Sequence, residues 1–483
     1  MVTLEDSAPR AHLLLPLALT VPVAALAALA PPTIALGALL VVMPLLISFL
    51  APTAGLYLLV FSMLLGPEFV VGHLGTDVTR SRGLTLRLDD VLLVLVGLGW
   101  LGRLATSRRA RTLVRTPLNR PIMWYVTGCV LATLLGVAAG RVRPTTGFFF
   151  LLKYYEYFFI FFMTVNIVTH EKDIRHLVTA CFVTCAVVSL YAIAQIPSGM
   201  RVSAPFEGHE GEPNTLGGYL VFLSALAAGF LLTPGAAPRK WPLLALLAII
   251  GVALQATLSR ASFLAAAVVL IGILVVVRRR NPVLVVVILL GMMAIPLTAP
   301  QAVMDRVLYT FMQPKEDGQI QVGHVRIDTS TSERFRSWQQ SVEVWKKSPL
   351  WGHGVTGGPF MDAMYPRVLT EAGLIGLSTF GLLMIGIWKV GYRARESLSH
   401  PYGRGLALGF LLGFVGLLVH AIGSNTFIIV RIMEPFWLVT GLMVRSLILE
   451  ESRRATPPAS TDEPQQFMSF HEMPGATFGY RSR

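Results

Sequence analysis

The sequence predicts an all-α fold, a polytopic transmembrane helical bundle of about 12–14 spans with a long extracytoplasmic loop containing an amphipathic helix. Three observations predict it. Only 14% of the 483 residues are charged and 54% are hydrophobic, whereas soluble domains carry roughly 25% charged residues. The apolar residues gather into repeated runs of roughly 16 to 24, the length that crosses a bilayer as helix. Between these runs the Lys and Arg residues favour alternate loops, as cytoplasmic loops require.

In chain order the runs lie near 11–30, 32–50, 53–67, 88–105, 121–139, 147–168, 174–196, 214–232, 242–258, 261–277, 282–298, 366–391, 404–421 and 431–448. Ala28-Leu29-Ala30 has the small-residue pattern of a signal cleavage site, but the leader sets Glu5 and Asp6 against a single Arg10. A signal has a basic leader and a short apolar stretch, so residues 11–30 are expected to remain as a helix. With the N-terminus inside, cytoplasmic loops hold Arg103, Arg108, Arg109, Arg111 and Arg115, then Lys172 and Arg175. Further on they hold Arg239 and Lys240, Arg278 to Arg280, and Lys389, Arg393 and Arg395. The other loops are poorer in basic residues or long enough to escape the rule. The C-terminus then also lies inside, beside Arg445, Arg453 and Arg454.

This divides the chain into an N-terminal part of the bundle (1–297), an extracytoplasmic loop (298–365), a C-terminal part of the bundle (366–450) and a Pro-, Ser- and Thr-rich tail (451–483), expected to be disordered. Long loops without function are uncommon. In this one Ser330-Thr331-Ser332-Glu333 has capping-box spacing. Phe335, Trp338, Val342 and Trp345 then recur on one helical face, Pro349 ends the helix, and Gly352, Gly354, Gly357 and Gly358 make a turn. The helix should lie over the bundle with its apolar side toward membrane or protein.

The net charge of +13 does not point to nucleic acid, because the basic residues sit where they orient helices and meet anionic lipid. The partner that the charge implies is the lipid bilayer. Cys129, Cys181 and Cys185 fall inside apolar runs without metal-ligand spacing.

Arg260 stands between two apolar runs with almost no loop to hold it, at the outer membrane surface. It is either a snorkelling interfacial Arg or a diphosphate clamp, since guanidinium binds phosphate oxygens in a fork. Arg201, Arg334 and Arg336 lie on the same side; Arg334 shares a face with Trp338, and Arg336 points elsewhere as a surface charge. Lys153 and Glu156 sit three apart inside an apolar run and can pair, either for function or as a structural fastener. Arg431 and Glu434 have the same spacing and the same two readings. Gly352 to Gly357 match G-x-G-x-x-G, but a dinucleotide site needs that motif between strand and helix; what remains is a set of glycine amides able to cradle a phosphate. Asp89 and Asp90 open an apolar run, where helix capping explains them more cheaply than a divalent cation.

These residues, taken in order, resemble the O-antigen ligase and O-antigen polymerase superfamily of bacterial surface-polysaccharide enzymes. Leu152-Lys153 with Glu156 looks like the family's Lys and Glu in a mid-chain helix. Arg201 followed by Pro213-Asn214 looks like its Arg and Pro-Asn segment, and Thr257-Leu258-Ser259-Arg260 like its Ser-Arg between spans. The strongest block runs from Arg334 to Trp338, through Ser348 to Gly354, and on to Leu369–Gly376.

The resemblance implies a bacterial inner-membrane, multi-pass glycosyltransferase whose long loop covers a cavity for a lipid carrier, with its active site facing the exterior and both termini cytoplasmic. The donor would be a polyprenyl-diphosphate-linked oligosaccharide and the acceptor a glycan or lipid-linked glycan, with no metal or nucleotide cofactor. By resemblance Arg260 and Arg334 engage the donor diphosphate, and Arg201, Lys153, Glu156, His353 and Glu371 complete the substrate site. Ligases that load lipid A core usually carry His-Asn eleven residues before the Gly matching Gly373; here Asp362 and Ala363 stand there. That departure points toward a polymerase of repeat units, with Asp362 as the general base in place of the histidine. A lipid-linked glycan transporter or flippase is the rival of another class, but transporters place charges near the midplane and often show inverted repeats. Here Arg260, Arg334, Asp362 and Glu371 gather at one face beside a covering loop.

Overall fold

The computed structural model describes residues 32–72, 84–106, 113–207, 211–278 and 329–455, with short fragments between 282 and 326. The expected helix at 11–30, most of the run at 282–298 and the tail beyond 455 lie outside the described residues.

The described chain is helical wherever an apolar run was expected. Before the long loop the helices are α1 (Pro32–Leu50), α2 (Pro52–Leu65), α3 (Leu88–Thr106), α4 (Asn119–Ala138), α5 (Pro144–Ile167), α6 (Glu171–Gln195), α7 (Pro213–Leu232), α8 (Trp241–Ala256) and α9 (Arg260–Val277). After it come α10 (Thr329–Lys346), α11 (Met364–Ser397), α12 (Pro401–His420) and α13 (Val430–Ala455). Among the described residues eight helices are long and apolar enough to cross a membrane, namely α4 to α7, α9 and α11 to α13. Shorter apolar stretches lie in α1, α2 and α8. Proline opens α2, α5, α7 and α12, where its missing N–H costs nothing. The fold class read from the sequence is the one observed.

The core is built where α7 and α12 cross. Gly229 and Gly409 let their backbones touch, since a Cβ on Gly409 would lie 2.6 Å from the Leu226 carbonyl oxygen. Small residues are what allow membrane helices such close packing. Around the crossing, Phe222, Phe410, Phe414, Phe427, Phe436 and Trp437 form a ring cluster joining α7, α12 and α13. From it Trp437 reaches Phe158 and Phe161 of α5.

Several local expectations change. The helix α10 starts at Thr329, so the Ser330–Glu333 box lies inside it rather than at its boundary. Its bundle side is the small polar one: Ser337 donates to Met361 Sδ at 3.1 Å and Ser341 to the Pro366 carbonyl at 2.9 Å. Phe335, Trp338 and Val342 stay 51%, 38% and 40% exposed. In α11, Gly373 breaks the helix with φ 64° and ψ −160°. Two antiparallel hairpins were not foreseen: β1 (Glu68–Gly72) with β2 (Leu84–Arg87), and β3 (Gln321–Val322) with β4 (Val325–Arg326).

Candidate active site

The turn from α8 into α9 sets the site. Leu258 sits in the left-handed region with φ 49°, which costs a residue with a Cβ roughly 1–2 kcal/mol. Arg201 holds the turn from outside, donating from Nε to the Thr257 carbonyl at 3.1 Å and from Nη2 to the Leu258 carbonyl at 3.4 Å. Inside it, the Ser259 amide donates to Thr257 Oγ1 at 3.2 Å. The Ser259 hydroxyl caps α9 by accepting from the Ser262 amide at 3.3 Å. Arg260 is therefore the first residue of a membrane helix, at the end where the helix dipole favours an anion.

Arg334 comes to the same place from α10. A Cβ on Gly423, in the turn after α12, would lie 3.8 Å from Arg334 Nη1 and 3.3 Å from the Ala261 Cβ. Arg334 Nη2 stands 4.0 Å from Asp362 Oδ2, with the two side chains 25% and 45% exposed. Asp362 does not cap α11: the N-cap is Ala363. The segment carrying Asp362 is pinned to the turn after α12, because the Met364 amide donates to the Ala421 carbonyl at 3.1 Å and Asn425 Nδ2 to the Met361 carbonyl at 2.7 Å. Arg201, Arg260, Arg334 and Asp362 thus converge on the start of α9. Two guanidinium groups beside a helix N-terminus make an anion site, and a carboxylate at its edge can take a proton.

His353 and Glu371 belong to a second piece, the glycine turn. Its amides are spent within the protein. Gly352 donates to Ser348 O (2.9 Å), His353 to Thr370 O (2.9 Å), Gly354 to Glu371 O (2.8 Å) and Gly357 to Gly354 O (2.9 Å). Val355 donates to Thr133 Oγ1 at 3.1 Å and Thr356 to Glu371 Oε1 at 3.3 Å. The phosphate-cradle reading of this motif falls, since these six donors already have acceptors. The Glu371 carboxylate also accepts from Tyr154 Oη and from Arg367 Nε, both at 3.0 Å, and so ties α5 and α11 to the turn. Burial holds the His353 imidazole below its usual pKa, with Arg141 and Lys347 adding to the effect. Its Nδ1 is buried with no partner among the described residues.

Lys153 and Glu156 form a third group. They pair at 3.4 Å, and Lys153 also pairs with Asp90. Asp90 accepts from the Arg87 amide at 2.7 Å, the reach-back of a capping box, while Asp89 pairs with the Arg87 guanidinium. Capping therefore holds for Asp90, and Arg87 and Lys153 supply the positive charge beside the two carboxylates. The expected Arg431–Glu434 pairing is replaced by partners from elsewhere: Arg431 meets Glu68 at 3.0 Å and Glu207 at 3.6 Å, and Glu434 meets Arg87 at 3.6 Å. Spacing on one helix does not reveal a nearer partner on another. Sequence reading also missed His420, a lone histidine closing an apolar run, whose ring bonds Ser262 and Thr426.

Comparison with curated proteins finds no match. Residues 243–372 match the family model described as O-antigen ligase, a span holding Arg260, Arg334, His353, Asp362 and Glu371. Over that span the chain is similar to the O-antigen ligase family, which supports the resemblance to the O-antigen ligase and polymerase superfamily.

Proposed function

We propose that this protein transfers glycan from a polyprenyl-diphosphate-linked oligosaccharide at the extracytoplasmic face of the bacterial inner membrane, polymerising repeat units. The observation that carries the reading is the convergence of Arg260 and Arg334 at the start of α9, with Asp362 4.0 Å from Arg334. In the proposed step Asp362 takes the proton of the acceptor hydroxyl, whose oxygen bonds the donor's anomeric carbon. The bond from that carbon to the diphosphate breaks, and the diphosphate leaves with its electron pair. Arg260 and Arg334 stabilise the charge that develops there, so the step calls on no metal. Arg201 supports the site by holding the Leu258 turn. Lys153 and Glu156 act as a fastener rather than a substrate contact, because their partners are protein groups.

The family description favours a second reading, ligase transfer to a distinct acceptor; Asp362 in place of the ligase histidine favours the polymerase. Incubating the purified protein with a polyprenyl-diphosphate-linked repeat unit alone separates them. A ladder of products is expected. Product formed only after a second acceptor is added makes it a ligase, and movement of the donor across the membrane without new bonds makes it a transporter.

A further inference from the structure

We propose that His420 is a positioning residue for Arg260, acting through Ser262 and Ser259; its catalytic meaning rests on the diphosphate reading above. His420 closes α12 and is fully buried. Its Nδ1 lies 2.8 Å from Thr426 Oγ1 and its Nε2 3.1 Å from Ser262 Oγ. From there the Ser262 hydroxyl donates to Ser259 Oγ at 2.8 Å, and the Ser259 hydroxyl donates to Asn214 Oδ1 at 2.7 Å. The chain has one sense. An amide oxygen only accepts, so Ser259 gives its proton to Asn214 and Ser262 gives its own to Ser259. Ser262 must then accept from an Nε2–H, which leaves Nδ1 to accept from Thr426.

That sense decides between roles. A proton relay must end on a group able to take a proton, and this chain ends on an amide. A nucleophile needs room for substrate, yet Ser262 is fully buried and a Cβ on Gly217 would overlap its hydroxyl oxygen. Gly217 and Gly218 of α7 instead clear the space the chain occupies: a Cβ on Gly218 would lie 3.0 Å from His420 Cε1. The remaining role is geometric. Ser259 is the cap of α9, the residue between the left-handed Leu258 and Arg260. His420 lies three residues before Gly423, against which Arg334 packs. The His420–Ser262 bond therefore cross-links the piece of structure that carries Arg260 to the piece that seats Arg334. It sets the separation of the two guanidinium groups.

The test uses the full-length protein in detergent with His420→Leu, Ser262→Ala and His420→Gln, read beside the wild type. For turnover of a polyprenyl-diphosphate-linked repeat unit, His420→Leu and Ser262→Ala should lower kcat by about 10- to 100-fold, the usual result of a small misplacement. KM for the donor should change less than kcat, because a displaced Arg260 loses most where charge develops on the leaving diphosphate. His420→Gln should recover much of the loss, since its amide N–H can reach Ser262 where Leu cannot. A second readout needs no substrate: Arg260→Cys and Arg334→Cys are bridged with a short bis-maleimide, which adds to one thiol at each end, with and without Ser262→Ala. The bridging yield should change when the link is cut. An unchanged yield with wild-type kcat overturns the positioning role, as does a kcat loss that only tracks loss of folded protein and ignores the Gln variant. If the wild type turns over no such donor while the yield still depends on Ser262, the diphosphate reading fails and the positioning stands.

Discussion

At the scale of the residue, the roles proposed for Asp362 and the two arginines can be separated by conservative changes. Asp362→Asn keeps shape and hydrogen-bonding oxygen but loses basicity; a positioned base is worth roughly 10²–10⁴ in rate. Transfer should fall by that order with donor binding intact, and an Asn enzyme at wild-type rate moves the base elsewhere, with His353 the first place to look. Arg260→Lys and Arg334→Lys should recover little of what the alanine variants lose, because a point charge does not make a forked contact; Arg336, exposed on α10, should tolerate Ala. A full Lys rescue would mean that charge alone is used. Glu207 offers a test in pH. Burial pushes its carboxyl up to about 7, with Arg431 pulling the other way. A carboxyl with a raised folded pKa stabilises the fold while it holds its proton, so this contribution is complete below about 4.5 and lost as pH rises through about 7. The shift corresponds to about 3 kcal/mol. The melting temperature of the wild type should therefore fall relative to Glu207→Gln across that window, and parallel curves would remove the effect.

At the scale of the element, the spans were legible because a bilayer demands length and apolarity together, and both are local properties of sequence. The Arg260 turn was legible for the same reason, as a charge with no loop to hold it. What was not legible depends on distant partners. Arg431 and Glu434 share a helix and face different partners, and Arg87 pairs across a hairpin that no apolar pattern announces. The glycine motif misled because its spacing says nothing about who already accepts from its amides. Gly373 is a second case, for it lies inside what reads as one span. Its φ of 64° and ψ of −160° suit glycine alone, and a Cβ would overlap the Leu350 carbonyl oxygen. Strain of this kind costs of order 1–3 kcal/mol before the clash is counted. Gly373→Ala should lower thermal stability by at least about that amount and loosen the 350–364 segment, read as faster proteolysis there; an Ala variant as stable as wild type would mean the break is dispensable.

At the scale of the whole molecule, the proposed topology sets α10 outside and the end of α13 inside. Cysteines placed at Glu343 and Ser452, both on exposed positions, should label from opposite sides of intact spheroplasts. The native Cys129, Cys181 and Cys185 are buried and give little background. Labelling of both positions by an impermeant reagent would reject the topology.

The buried ion pairs have a consequence for how the protein is made. Glu68, Asp89, Asp90, Glu156, Glu207 and Glu434 share three cations, Arg87, Lys153 and Arg431. The chain enters the membrane N-terminus first, so Glu68 soon meets Arg87, but Glu207 is in place long before the ribosome reaches its partner Arg431. An unpaired buried charge destabilises far more than the completed pair stabilises, and the half-synthesised protein carries that burden until α13 arrives. Chains cut short before Val430 should accordingly behave not as smaller bundles but as quarry for membrane quality-control proteases. Among the described helices α13 comes last, and its Arg431 closes the pairs of Glu68 and Glu207.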